Sequence, residues 1–196
     1  MKRFDQMSPD EMTCTACGFS ISGFGSPFLF KYIEQNMIVH INTFTPENIK
    51  ELCRAFIFSK RGSKQFHQIL MPRIQQLVHT FTCRELCYLV HGYSNVGFLP
   101  KPFAKLLETE IVATLRDTEN VTPEEMQLMC QVFCRARCGS REFHKLLEMT
   151  ILTKIEDIRT EPKMLHSIGF EFEKSGLCTI DTMKILKKQM WQVELE

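Results

Sequence analysis

The sequence has no apolar run approaching the ~20 residues that a bilayer-spanning helix requires, which predicts no membrane insertion. No segment alternates apolar and polar residues over a useful length, which argues against a strand-rich fold. The opening MKRFDQMSPDEM lacks the long apolar core of a secretory signal, and it is too short and too acidic for an Arg- and Ser-rich transit peptide. Glycine and proline are too few for a disordered linker. A net charge of +1 gives no global field toward nucleic acid or membrane, so any electrostatic role must come from how charges are arranged. Gly-rich phosphate loops, H-E-x-x-H and G-x-S-x-G are all missing, and no convergent acid–base set is visible, so no catalytic or cofactor-binding residue is assigned. The nine cysteines form an odd number in a chain large enough to build a core without staples, which favours free thiols in a reducing compartment.

What the chain does have is repetition. Residues 44–80 read FTPENIKELCRAFIFSKRGSKQFHQILMPRIQQLVHT, and residues 121–157 read VTPEEMQLMCQVFCRARCGSREFHKLLEMTILTKIED, with the same punctuation at the same positions. Candidate helix caps at Ser8, Thr45, Thr82, Thr122 and Glu161 are 37, 37, 40 and 39 residues apart, and the extra residues of the longer steps fall near 117–120 and 158–160. Proline follows the cap in four copies, where its missing N–H costs nothing and its fixed φ suits the first helical turn. Glu11, Glu85 and Glu125 stand where they complete capping boxes. From each cap an apolar stripe recurs at helical spacing: Ile49, Leu52, Cys53 and Phe56 match Leu86, Leu89, Val90 and Tyr93, then Met126, Met129, Cys130 and Phe133. Eighteen residues past the cap a second helix opens at Ser26, Ser63, Pro100, Ser140 and Thr179, with Gly25, Gly62 and Gly139 ahead of it as natural stops for the first helix. Phe66, Ile69, Leu70 and Ile74 of that helix recur as Phe103, Leu106, Leu107 and Ile111, then Phe143, Leu146, Leu147 and Ile151.

The fold class expected is all-α: an α-solenoid of about five helix-turn-helix repeats of about 37 residues. The whole chain, 1–196, forms one helical-repeat domain, with repeats at about 7–43, 44–80, 81–120, 121–157 and 158–196. Apolar side chains at the ends of such a stack, Phe24, Phe28, Phe30 and Tyr32 at one end and Met190 and Trp191 at the other, are candidates either for partner contacts or for packing inside their own repeats.

The period, the [ST]-P-x-E start, L-x-x-[LM] with a following aromatic, and G-S-[KR]-x-F-H at Gly62–His67 and Gly139–His144 together resemble the organellar helical-repeat families. The similarity is to heptatricopeptide and octotricopeptide repeats and to the repeats of FAST-kinase-domain proteins, and it covers residues 7–196. It implies RNA binding in mitochondria or plastids, including a place in a mitochondrial ribosome, with ribosomal RNA or an organellar transcript and neighbouring proteins of a large complex as partners. The C-terminal RNA-associated domain that often follows such arrays has no counterpart here, which points away from autonomous RNA processing. Repeat sequence starts within the first ten residues, so Met1 need not be the natural start and any presequence lies outside this sequence.

Charge is arranged by position. The end of the first helix and the start of the second carry Lys60, Arg61 and Lys64 in one copy, Lys101 in the next, and Arg135, Arg137 and Arg141 in the fourth. Acids, Glu108 among them, gather toward the opposite edge. Cations at a helix N-terminus, such as Lys64 and Arg141, are mildly unfavourable for the helix itself, and basic stripes of this kind bind phosphate backbones. Arg54, His91 and Gln131 share one position on the first helix and are candidates to meet bases, although varying polar residues in one column also describe a solvent face. Cys14-x-x-Cys17 has metal spacing but no second pair, and Cys130, Cys134 and Cys138 read as a line along one helix, so no metal site is assigned. The residues thus leave two main readings open: a mitochondrial RNA-binding solenoid without enzymatic activity, or a protein–protein scaffold in a mitochondrial assembly. A cytosolic helix-pair adaptor shares the architecture.

Overall fold

A computed structural model describes residues 6–117 and 119–195, and among these the chain is all-α, with eleven α-helices and no strand. In order they are α1 (Pro9–Ser22), α2 (Pro27–His40), α3 (Pro46–Leu52), α4 (Lys64–Leu77), α5 (Cys83–Asn95), α6 (Lys101–Arg116), α7 (Pro123–Ala136), α8 (Arg141–Thr153), α9 (Ile155–Arg159), α10 (Pro162–Ser175) and α11 (Ile180–Leu195). Ten of them fall where the sequence places first and second helices. The additional one, α9, follows a break at Lys154 (φ −102°, ψ 21°), whose ammonium donates to the carbonyls of Glu119 and Val121 at 3.1 and 2.8 Å. Helix α3 passes directly into a π-helical turn over Cys53–Phe58.

The caps behave as the sequence chemistry requires. Ser8, Thr45 and Thr122 accept from the amide three residues on, and Glu11, Asn48 and Glu125 return the bond to the cap amide, with proline in the first turn each time. Asn48 closes the box that the sequence pattern reserves for glutamate, and its amide also donates to Asp10 at 2.7 Å. Glu161 caps α10 by position only, without a side-chain bond.

The chain divides into two compact units. One comprises residues 1–82 and 91–99, the other 83–90 and 100–196, so α5 contributes to both. The first has a core of Phe30, Ile33, Met37, Ile49, Leu52, Phe56, Phe66, Leu70, Ile74 and Tyr93, all buried. Phe56 stands edge-on to Phe30 and tilts onto Phe66 at 4.5 Å between centroids. Gly92 is buried there because helix and π-turn approach closely: a Cβ on it would collide with the Ile57 side chain and lie 3.0 Å from the Ile57 carbonyl oxygen. The second unit buries Leu86, Leu89, Phe103, Leu107, Ile111, Met126, Met129, Phe133, Phe143, Leu147, Ile151, Leu165, Ile168 and Phe172.

Candidate nucleic-acid interface

The basic residues singled out by the sequence sit on and beyond the turn that links first to second helix. That turn is built around one left-handed residue standing 15 positions after each cap: Gly23, Lys60, Gly97, Arg137 and Gly176, with φ of 72°, 57°, 68°, 47° and 66°. Beyond Arg137, the Cys138 amide reaches back to the Phe133 carbonyl at 3.2 Å, and beyond Lys60 the Arg61 amide reaches Phe56 at 2.7 Å, a reciprocal closure of the helix end. The stop is therefore this residue, two positions before the glycines to which the sequence pattern assigned it. Cys138 consequently lies outside α7, not on a line with Cys130 and Cys134.

Gly62 and Gly139 have a different task. Their φ values, +90° and +96°, are left-handed, and a Cβ on Gly139 would lie 3.0 Å from both His144 Nε2 and a Phe143 ring carbon. The rest of the G-S-[KR]-x-F-H motif is also explained by local structure. Ser63 and Ser140 cap α4 and α8, and Phe66 and Phe143 enter the core. His67 and His144 each donate from Nε2 to a carbonyl six residues back, Arg61 at 2.8 Å and Cys138 at 2.9 Å. A carbonyl only accepts, so Nε2 carries a proton in each ring, and the buried Nδ1 of each has no hydrogen-bond partner among the described residues.

The candidate contacts divide by what they touch. Arg61 is half-buried, donates to the Gly25 carbonyl at 3.0 Å and lies over the Phe30 ring at 4.1 Å. Arg135 is bound through Nε (2.8 Å) and Nη2 to the buried carboxylate of Glu171. Lys64 hovers 5.7 Å from the Phe98 ring centroid. Arg54 pairs with Glu51, His91 meets Asn95 at 2.8 Å, and Gln131 donates to Ser167 at 2.9 Å, so all three proposed base readers have contacts within the chain. Lys60, Lys101, Arg137 and Arg141 are exposed, and none has an ion-pair partner among the described residues.

Open grooves run beside several second helices, and three of them, one in the first unit and two in the second, share a common build. The first, about 780 Å³, is lined by α2 and the start of α4 and holds Lys31, Lys60 and Arg61. The second, about 560 Å³, lies beside α6 and α8 with Lys105 and Arg116, and the third, also about 560 Å³, holds Arg141 and Lys145. On each floor a glutamate accepts from the cap of the following second helix. Glu34 takes the Ser63 amide (2.9 Å) and hydroxyl; Glu108 takes the Ser140 amide (2.9 Å) and hydroxyl (2.6 Å); Glu148 takes the Thr179 amide (3.2 Å) and hydroxyl (2.8 Å) and the Thr182 hydroxyl (2.7 Å). Glu108 is thus buried and structural rather than part of an acidic edge. Burial by itself would raise its pKa, but hydrogen bonds from Lys105 and from the Ser140 hydroxyl and amide outweigh that and hold it below the ordinary carboxyl value.

Lys31, Lys105 and Lys145 were missed in the sequence, although each stands three residues before one of those glutamates, and the K-x-x-E spacing was there to be read. Because Glu34 and Glu148 are occupied by caps, Lys31 and Lys60 in one groove and Arg141 and Lys145 in another face solvent with no carboxylate partner among the described residues. All nine cysteines are free thiols; Cys17 donates to Glu51, and burial pushes Cys17, Cys138 and Cys178 up to about 12. Among the described residues no group of three or more His, Cys, Asp or Glu is placed to hold a metal, and no helix is long and apolar enough to cross a membrane. No family model matches this sequence, and no curated protein matches it significantly.

Proposed function

We propose that this chain is a non-enzymatic RNA-binding α-solenoid of about five 37-residue repeats, of the organellar type it resembles. Its place would be structural, in a mitochondrial ribosome or RNA-metabolism complex; the compartment rests on the resemblance alone. The observation that carries RNA binding is the choice of residue at the left-handed helix stop. Glycine serves there in three copies, whereas Lys60 and Arg137 are the only non-glycine residues with positive φ among those described. An L-residue costs about 1 kcal/mol in that conformation. Neither cation recovers that cost through an ion pair among the described residues, and each lies exposed, Lys60 at the first groove and Arg137 at a smaller hollow of about 200 Å³ that it shares with Arg135, Glu171 and Lys174. Long cations held at a backbone cost, with Lys101 and Arg141 also unpaired at unfavourable helix N-termini, fit a polyanionic partner bound through phosphates.

The test separates fold from binding. Lys60→Gly with Arg137→Gly removes two charges and relieves two strained residues, so the variant should be at least as stable as the natural chain. Its affinity for single-stranded RNA should fall, and its log K against log salt slope should flatten by about 1.4 for two lost contacts. A variant that binds RNA with unchanged slope refutes the assignment. If the natural chain shows no RNA binding at low salt, the scaffold reading takes its place, and the exposed apolar side chains of α2 favour it.

A further inference from the structure

Independently of RNA, α2 has the features of a helix that receives a glutamate from a neighbour. Ser63, Ser140 and Thr179 each occupy the cap of a second helix, and each donates both its amide and its hydroxyl to a carboxylate on another second helix. Ser26 is the same cap on α2, with the same backbone conformation (φ −69°, ψ 155°, against −77°, 160° for Ser63 and −76°, 164° for Ser140). Its hydroxyl accepts from the Leu29 amide at 3.2 Å, as the others accept in their helices, but its own two donors meet no acceptor among the described residues.

The side chains around Ser26 differ from their counterparts in the matching way. Phe24 stands at the position of Arg61, which binds the Gly25 carbonyl and the Phe30 ring. Phe28 stands at the position of Gln65 and Glu142, and Tyr32 at that of Ile69 and Leu146; Gln65, Glu142 and Leu146 line grooves beside another second helix. Here these positions are aromatic: Phe24 and Phe28 are open to solvent, 88% and 85% exposed, and Tyr32 is partly so. They flank two free donors with apolar surface.

We propose that this face of α2 docks an α-helix of another polypeptide that presents a glutamate to Ser26 and apolar side chains to Phe24, Phe28 and Tyr32. A second copy of this chain does not supply that chemistry by the same geometry on α11, where the residue matching Glu34, Glu108 and Glu148 is Lys187, whose ammonium would face the Ser26 donors.

The probe is a fluorescein-labelled, hydrocarbon-stapled peptide of residues 141–153, which carries Glu148, titrated with the full chain and read by anisotropy. Saturable binding is expected, weakened at least tenfold by Glu148→Gln in the peptide. Ser26→Asp in the chain should weaken it at least as much, because aspartate still caps α2 but repels the incoming carboxylate. Phe28→Glu, on an exposed side chain, should abolish it. Absence of binding, or binding indifferent to Glu148→Gln and Ser26→Asp, overturns the proposal. Self-association in sedimentation that Phe28→Glu removes would assign the face to a second copy, and binding of zwitterionic vesicles that Phe28→Glu removes would assign it to lipid; either result also overturns it.

Discussion

Replacing Glu108 by glutamine tests whether a buried carboxylate joins successive second helices. In the second unit one oxygen of Glu108 accepts from Lys105 Nζ (2.6 Å) and the Ser140 hydroxyl (2.6 Å), and the other accepts from the Ser140 amide (2.9 Å). Hydrogen bonds to a charged group contribute about 1.5–3 kcal/mol each. Lys105 is well exposed, so its ion pair is discounted to well under ~1 kcal/mol. Glutamine presents one acceptor oxygen in place of two, keeps one neutral bond to Ser140 and turns an N–H₂ toward a donor, leaving a buried polar group unsatisfied. The expected loss is about 2–3 kcal/mol at pH 7, measured by urea unfolding, together with faster hydrogen exchange at the Ser140 amide. The pH dependence has a fixed sign. Because the folded pKa lies below the ordinary 4.5, the stability Glu108 adds is fully present above 4.5 and is lost as pH falls through the lower folded value. The gap between natural chain and variant should therefore narrow in acid. A loss below ~0.5 kcal/mol with unchanged Ser140 exchange would refute the account, since a solvated glutamate gives that result.

Two further perturbations probe the linking turns. Gly139→Ala forces a Cβ to within 3.0 Å of His144 and Phe143 at a φ of +96°, so it should lower stability by more than ~1 kcal/mol in thermal or urea unfolding, whereas Gly18→Ala, with open space around it, should be neutral or stabilising in its helix. His67 is buried, and although the Arg61 carbonyl bond and Glu34 favour its charged form, desolvation prevails and lowers its pKa below 6.5. Its contribution is present above pH 6.5 and is lost as pH falls through the folded value; an NMR titration midpoint at or above 6.5 would contradict the burial described.

Much of this was legible in the sequence because the signals are local. Caps, first-turn prolines and apolar spacing are each decided within one or two turns, and Thr45, Pro46, Ile49 and Leu52 stand as their spacing predicts. Ile69, Leu106 and Leu146, which recur 24 residues past the cap of the first helix, are only half-buried although apolar, and Leu146 lines a groove. The glutamate clamps were not legible for a different reason. Glu34 and Ser63 are 29 residues apart and Glu108 and Ser140 are 32 apart, so neither partner shows in a window scanned for helix signals. In the position that holds Glu34, Glu108 and Glu148, the second copy has Met71, and the next second helix opens on Pro100, which has neither an N–H nor a hydroxyl to offer a carboxylate. A column with exceptions reads as noise until the column it depends on is set beside it.

The cations show the same dependence from the other side. Lys60 and Arg61 are neighbours in sequence, and composition alone gives them the same meaning. The fold separates them: Arg61 turns inward to a carbonyl and an aromatic ring, while Lys60 takes a left-handed backbone and stays outside. Arg135 and Arg137 divide likewise, one bound to Glu171 and the other strained and exposed. In each pair the engaged arginine is held by a partner within the chain, whereas the strained residue has only the weak preference of a helix C-terminus for a cation, and glycine at that place satisfies the turn better. Function is therefore to be sought in Lys60 and Arg137 rather than spread evenly over the basic residues. Loss of RNA affinity on changing Arg61 or Arg135, without loss of stability, would contradict that division.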